Sequence, residues 1–274
     1  MWMTSRSQER EILDDHEPEQ PVVDKIYRFL SFVNRHLGGT HATLARFDAF
    51  SRSWKPGAKI AVLDVASGAA DVPRALIAWA GARGFDVRVT ALDVSPRALL
   101  YARRAGPVDR LGFVCSDIQH SCFRDGAFDY VTCALFFHHL TDAQVVTTLR
   151  TFNRLASRGI VVNDLVRARR AYLWSRLLTA PFHPILRFDG PLSVRRAFRP
   201  DELRSLAAQA DVGWLDIHRS FGHRMTLSGQ KGWSRTSLRR GDAGLPIRRH
   251  LGRRNAGVSR RKPQQCAPDV AGRV

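Results

Sequence analysis

An α/β fold with a mostly parallel sheet is what this sequence predicts, and three observations carry the prediction. Apolar runs at 60–65, 87–92, 112–116, 128–134 and 159–163 have the length and residue types of strands. Stretches of helical periodicity at 72–83, 96–105 and 142–156 lie between most of them. Cap residues mark the joints: Ser95-Pro96 sets a capping hydroxyl before a proline at the first helical position, and Thr141-Asp142 starts the third helix in a similar way. Such alternation implies right-handed crossovers, helices on both faces and all parallel strands ending on one side. Ligands bind outside those ends, where the strand order reverses.

The elements follow in order. The first 20 residues are polar and acid-rich and read as poorly ordered. Val22, Val23, Ile26, Phe29, Leu30, Val33 and Leu37 recur at helical spacing, and Gly38-Gly39 ends that helix. Thr40 reads as the cap of a second helix reaching about Ser53, and Pro56-Gly57 as a turn. After the fifth strand come a helix over 166–179, an irregular stretch over 181–198, and a helix in "RPDELRSLAAQA". Two last strands, 212–218 and 224–227, read as an antiparallel hairpin at the sheet edge. The chain thus divides into a helical cover (1–53), a principal domain (54–231) and a tail (232–274).

The net charge of +18 is concentrated toward the C-terminus: from Lys231 on there are 12 Lys/Arg against 2 Asp/Glu, or +10, leaving +8 for the other 230 residues. The tail has little apolar periodicity and reads as disordered, either an RNA-binding arm or an appendage without function. Cys115, Cys122, Cys133 and Cys266 show neither paired nor metal-ligand spacing, so reduced thiols of a cytoplasmic protein are expected and no metal site is read. No secretory signal and no run approaching a membrane span is present.

The stretch Asp64-Val65-Ala66-Ser67-Gly68-Ala69-Ala70-Asp71 joins the first strand to the first inter-strand helix. A dinucleotide fingerprint would need glycines where Ala66 and Asp71 stand, and Asp71 would set a negative charge against a pyrophosphate. No Gly-Lys-Ser/Thr run makes a phosphate loop. S-adenosylmethionine carries no phosphate and two positive groups, so acids here are tolerable or useful. Its acid-x-G-x-G-x-G pattern is met with alanine at two glycine places, Ala66 and Ala70. Alanine keeps the backbone approachable but lacks glycine's freedom at positive φ. Asp93 ends the second strand, 29 residues after Asp64, where a carboxylate can accept both ribose hydroxyls. Asp117 follows the third, where it can accept from an adenine amino group. Each acid alone also suits a turn or cap, and Asp71 suits an N-cap; three strand-end acids together are the specific signal.

On these residues, and on "FVNRHLGG", "FFHHL", "VVNDL" and "DGPLSVRRAF", the chain from Phe29 to Lys231 resembles the class I S-adenosylmethionine-dependent methyltransferases, nearest the ubiquinone/menaquinone-type small-molecule enzymes. The resemblance implies a Rossmann-like sheet of seven strands with an antiparallel last strand and an N-terminal helical cover. It implies that Asp64, Ala66, Ser67 and Gly68 line the methionine part of S-adenosylmethionine. Asp93 and Val94 then serve the ribose, Asp117 and Ile118 the adenine, and Ala134 lies beside the methyl donor.

Methyl transfer to a phenol or acidic carbon needs alignment and a base. His138 and His139 follow the fourth strand and are the candidate bases, although either can simply cap the next helix. Asn163, Asp164 and Arg195 are candidates for holding the acceptor, with Arg196 as an alternative to Arg195. Tyr172, Trp174 and the aromatics of "FFHHL" suit an apolar acceptor pocket or the core equally. The expected activity is O- or C-methylation of a phenolic, quinone-like, polyketide or lipid acceptor. The rivals are an RNA methyltransferase, favoured only by charge, and a cofactor-binding protein without turnover. The amino-methylating Asp/Asn-Pro-Pro-aromatic motif is missing after the fourth strand, where Ala134-Leu135-Phe136-Phe137 stands. Cys133, the only candidate for a cytosine-type nucleophile, is expected to pack inside its strand.

Overall fold

The computed structural model describes residues 3–15, 18–120 and 122–232. The reading of a disordered tail therefore lies outside the described residues from 233 onward. The described chain runs α1 (Ile12–Asp15), α2 (Gln20–His36), α3 (Gly39–Ser51), β1 (Lys59–Val65), α4 (Asp71–Gly81), β2 (Asp86–Asp93), α5 (Pro96–Arg104) and β3 (Leu111–Cys115). It continues through β4 (Phe128–Ala134), α6 (Asp142–Leu155), β5 (Ala156–Leu165), α7 (Arg169–Thr179), α8 (Pro184–Arg196), α9 (Pro200–Gln209), β6 (Asp216–Ser220) and β7 (Arg224–Gln230). Among the described residues no helix is long and apolar enough to cross a membrane.

The seven strands form one sheet in the order β3-β2-β1-β4-β5-β7-β6. β1 to β5 are mutually parallel, and β7 is antiparallel to both β5 and β6. The strand order reverses between β1 and β4, which opens a crevice at their C-terminal ends. Strand alternation sorts the side chains. Ile60 and Val62 face an aromatic layer from α3 and α4, while Leu63 and Val65 face α6 and α9. In the first layer Phe50 stacks on Tyr130 at 5.4 Å, and the Trp54 indole donates to the Tyr130 hydroxyl at 2.9 Å. Each such aromatic contributes about 1.5–3 kcal/mol by burial, which fixes α3 against the sheet.

Local signals explain most boundaries. Ser95 accepts from the Ala98 N–H, and Thr141 and Gln144 complete a capping box on α6. Three expectations need correction. Residues 3–15 are not loose: Arg6 donates to the carbonyls of Arg196 and Leu140, pairs with Asp142 at 2.7 Å and lies 3.6 Å over the Phe198 ring. The stretch 181–198 is not irregular, because His183 caps α8 and Pro184 sits in its first turn. A proline inside a helix is ordinarily a breaker, yet α8 carries Pro191. Nor does Thr40 cap α3. That role falls to Gly38 at φ 85°, and a Cβ there would lie 2.6 Å from the Phe221 carbonyl oxygen. Gly222, at φ 76°, approaches Leu37 from the other side, where a Cβ would lie 2.0 Å from its carbonyl oxygen. The α2–α3 corner and the β6–β7 turn thus meet backbone to backbone, which is the physical content of the "LGG" in the sequence.

Candidate functional site

Two neighbouring sets of side chains occupy the C-terminal edge of the sheet. The first surrounds the turn between β1 and α4. Ala66, Gly68 and Ala70 all have left-handed φ, at 52°, 51° and 53°. The two alanines therefore sit where glycine would be at ease, at a cost of about 1 kcal/mol each. Ala70 caps α4 and Asp71 is its first residue, so Asp71 is not the N-cap. The turn is held across strands: the Ser67 N–H donates to the Leu92 carbonyl, and the Gly68 N–H to Asp93 Oδ2 at 2.7 Å. Tyr27 of α2 covers the turn, so closely that a Cβ on Gly68 would lie 2.8 Å from its ring.

Asp64 is fully buried, accepting from the Ser67 hydroxyl at 2.6 Å, and its Oδ1 has no hydrogen-bond partner. Burial, aided by the charges of Asp71 and Asp93, pushes its pKa up to about 8. A buried, unsatisfied carboxyl of this kind suits a cationic partner. Asp93 also accepts from the Ser95 N–H at 2.9 Å. Val94 beside it is exposed, and Ile118 is buried next to Asp117. Asp117 is exposed and caps the short 3₁₀ turn that follows, accepting from the Gln119 N–H. The three acids end adjacent strands on one side of the sheet, as the spacing predicted.

The second set lies at the ends of β4 and β5. His138 is 2 % exposed. Its Nδ1 lies 2.7 Å from Asp164 Oδ1, and its backbone N–H donates to Asp164 Oδ2. Asp164 also accepts from the Leu165 N–H at 2.7 Å. Burial works to raise the Asp164 pKa, but the charge and hydrogen bonds of His138 and the backbone N–H groups outweigh it and hold the carboxyl below its ordinary value. An ionised carboxylate only accepts, so Nδ1 carries a proton and Nε2 is the ring nitrogen left to face the cavity side. Leu135, at φ 56°, turns the chain sharply after Ala134 and donates to the Asn163 carbonyl.

Facing Nε2, at 3.8 Å, is Glu11 Oε1, an oxygen without a hydrogen-bond partner on a residue only 3 % exposed. Burial raises the Glu11 pKa to about 7, against the pull of His139. His139 Nδ1 bonds Asp14 at 2.7 Å, and Arg196 bonds Asp14 at 2.9 Å and the carbonyls of His138 and His139. Glu11, His138 and His139 bring ligand atoms within 4.8 Å of one another, a set able to hold a cation. Both Nδ1 atoms are bonded to carboxylates, and the Arg196 Nε lies 3.9 Å from Glu11 Oε1, placing a positive charge beside the set.

Both histidines and Glu11 line a cavity of about 1020 Å³, walled by Ile26, Phe29, Leu178, Leu186 and Val194. Several expected acceptor residues lie elsewhere. Asn163 is wholly buried, its amide donating to the Gly39 carbonyl and to Thr43, so it anchors α3. Arg195 points away to pair with Glu9 at 3.3 Å, and the buried Arg196 holds the histidine turn instead. Trp174 lines the cavity while Tyr172 does not. Cys133 is buried in β4 with its thiol pKa pushed well above the ordinary value by burial, unfit as a nucleophile.

Glu11, Asp14 and Arg224 went unseen in the sequence. The first two sit in a polar segment that offers no local periodicity. The available signal was charge complementarity between the acids of 9–15 and Arg195, Arg196 and Arg199. Arg224 of β7 is buried and donates to Asn34 at 3.0 Å; burial lowers its pKa to about 10, against the pull of the Asp164 and Asp71 charges.

Residues 62–159 match the family model described as a methyltransferase domain. No curated protein sequence matches the chain. Among solved structures, an S-adenosylmethionine-dependent methyltransferase from Aquifex aeolicus aligns at 17 % identity and TM-score 0.54 over 78 % of this chain and 99 % of that one. Human N-acetylserotonin methyltransferase in complex with S-adenosylmethionine aligns at 15 % identity and TM-score 0.57, over 78 % of this chain and 57 % of that one. An O-methyltransferase family 2 protein from Planctomyces limnophilus, in complex with apigenin, aligns at 18 % identity and TM-score 0.52, over 79 % of this chain and 63 % of that one. The likeness to these structures is one of fold, and this chain spans well under the full length of the last two. Residues 62–159 thus match a methyltransferase domain, on a fold shared with S-adenosylmethionine-dependent methyltransferases.

Proposed function

We propose that this protein is an S-adenosylmethionine-dependent methyltransferase that methylates an oxygen or acidic carbon of an apolar small molecule: a phenolic, quinone-like, polyketide or lipid acceptor. The observation that carries the reading is the His138–Asp164 pair opening onto an apolar cavity of about 1020 Å³ at the strand ends. That volume is at the upper end for small-molecule pockets, enough for a ring system with an alkyl substituent.

The residues of the first set fit the cofactor. The left-handed turn over 66–70 lets backbone come close, Asp64 offers an unsatisfied carboxyl to a cation, and Asp93, Val94, Asp117 and Ile118 flank the adjoining strand ends. Ser67 and Ala134 complete this candidate set. The bound cofactor supplies an electrophilic methyl group on a sulfonium. This chain's residues do the rest. His138 Nε2 accepts the acceptor's proton, and Asp164 stabilises the resulting imidazolium and fixes the ring. Glu11 and His139 flank the acceptor group, and the apolar walls exclude water. In this reading residues 54–231 bind the cofactor, while 1–53 close the cavity through α2 and the Glu11 segment. The unpaired thiols Cys115, Cys122 and Cys133 support a cytoplasmic setting.

The test is transfer of labelled methyl from S-adenosylmethionine onto phenolic, quinol, polyketide and lipid fractions. Label in a chloroform-soluble product is expected. Label appearing only in RNA, or cofactor binding without any labelled product, would overturn the reading.

A further inference from the structure

α7 is amphipathic in an unusual sense, since its outward face is apolar. Leu173, Trp174 and Leu177, at i, i+1 and i+4, are 60 %, 63 % and 66 % exposed. Phe182, just past the helix end, is also exposed and packs its ring 4.6 Å from Phe29 of α2. Isolated exposed leucines need no explanation, but a contiguous patch does. Arginines border it: Arg169, Arg170, Arg176 and Arg187 are exposed, and no Asp or Glu occurs from Leu165 to Phe188. The patch also adjoins the cavity. Trp174 and Phe221, the latter 75 % exposed, both line it and reach the surface.

We propose that the outer face of α7 docks on an anionic lipid bilayer, and that the acceptor enters the cavity from that bilayer. This rests on the reading of the cavity as the acceptor site. Charge selects the occupant. A helix with leucine and tryptophan outward and arginine at the margins is built for the boundary between acyl chains and anionic headgroups. From Lys231 on, the chain carries 12 Lys/Arg against 2 Asp/Glu, the same sign as the arginine rim. A second copy would set one arginine rim against another. An acceptor that fits an apolar cavity also partitions into lipid, so cavity and docking face serve one route.

The test is sedimentation of the full chain with vesicles, without cofactor or acceptor. Vesicles of equal phosphatidylglycerol and phosphatidylcholine are compared with pure phosphatidylcholine. Strong partition to the anionic vesicles is expected, with Leu173→Asp/Leu177→Asp at least tenfold weaker and Arg169→Glu/Arg170→Glu also weaker. Neither leucine lines the cavity, so the leucine variant should keep its rate on a water-soluble phenol. Equal binding by wild type and leucine variant, or no binding by wild type, overturns the proposal. A wild-type dimer that the leucine variant dissolves in sedimentation equilibrium also overturns it, making the face a self-interface. Because the vesicle partition is read without any methyl transfer, a wrong acceptor assignment leaves that result readable.

Discussion

Asp164→Asn tests the proposed chemistry at its most constrained atom. The carboxylate accepts three hydrogen bonds, from the His138 N–H at 2.9 Å, His138 Nδ1 at 2.7 Å and the Leu165 N–H at 2.7 Å. Asparagine has one accepting oxygen, and its NH₂ would meet a donor. At least one buried N–H is left unpaired, costing about 1–3 kcal/mol, and a charge-assisted bond is lost besides. A net loss of about 3 kcal/mol lowers Tm by roughly 6–12 °C for a chain of this size. The kinetic effect is larger. If the amide turns its NH₂ to Nδ1, the imidazole proton moves to Nε2 and the base is blocked. The turnover rate then falls by about 10²–10⁴. Cofactor affinity by calorimetry should change less than twofold, since Asp164 makes no contact with the 66–70 turn. Acid unfolding gives a second reading. The folded pKa of Asp164 is depressed, so its stabilisation is present above the ordinary carboxylate value and lost as pH falls through the lower folded value. The variant should lack that part of the acid transition. A folded Asp164→Asn enzyme turning over within threefold of wild type would refute the assignment of His138 as base.

Other outcomes follow from the same geometry. Asp64, protonated up to about pH 8 in the free protein, should release its proton when a cation binds beside it. Cofactor affinity then rises with pH toward 8, and calorimetry in buffers of different ionisation heat should show proton release; a pH-independent affinity would contradict this. Glu11 has a folded pKa near 7, above its ordinary 4.5, so stability falls as pH rises through that window. Glu11→Gln should flatten this dependence in thermal melts between pH 5 and 8. Ala66→Gly should stabilise by about 0.5–1 kcal/mol by relieving left-handed strain. Ala70→Gly should gain less, because the Ala70 methyl packs on Ala91 and Ala102. Arg224→Met leaves the buried Asn34 side-chain carbonyl oxygen without its donor and should cost about 1–3 kcal/mol in chemical unfolding.

What the sequence disclosed follows from which interactions are local. The strand 128–134 matches β4 to the residue, because an apolar run between a turn and a loop is decided by its own side chains. Asp64, Asp93 and Asp117 were legible because parallel crossovers make strand ends converge whatever the connecting helices contain. Glu11 was not. Its burial depends on Arg6 reaching the carbonyl of Arg196 and on Asp189 accepting the Ile12 and Leu13 N–H groups, partners about 180 residues away. Polar composition argued for disorder, but arginine-to-carbonyl and carboxylate-to-N–H bonds replaced the apolar burial that the segment lacks. The misassigned acceptor residues teach the same point. Asn163 and Asp164 are neighbours at the end of β5, and strand alternation sends them to opposite faces, one to anchor α3 and the other to His138. Arg195 and Arg196 are likewise parted by the turn of α8, a helix hidden by its internal Pro191. Once that helix is recognised, its geometry alone requires that only one of the two arginines reach the histidine turn.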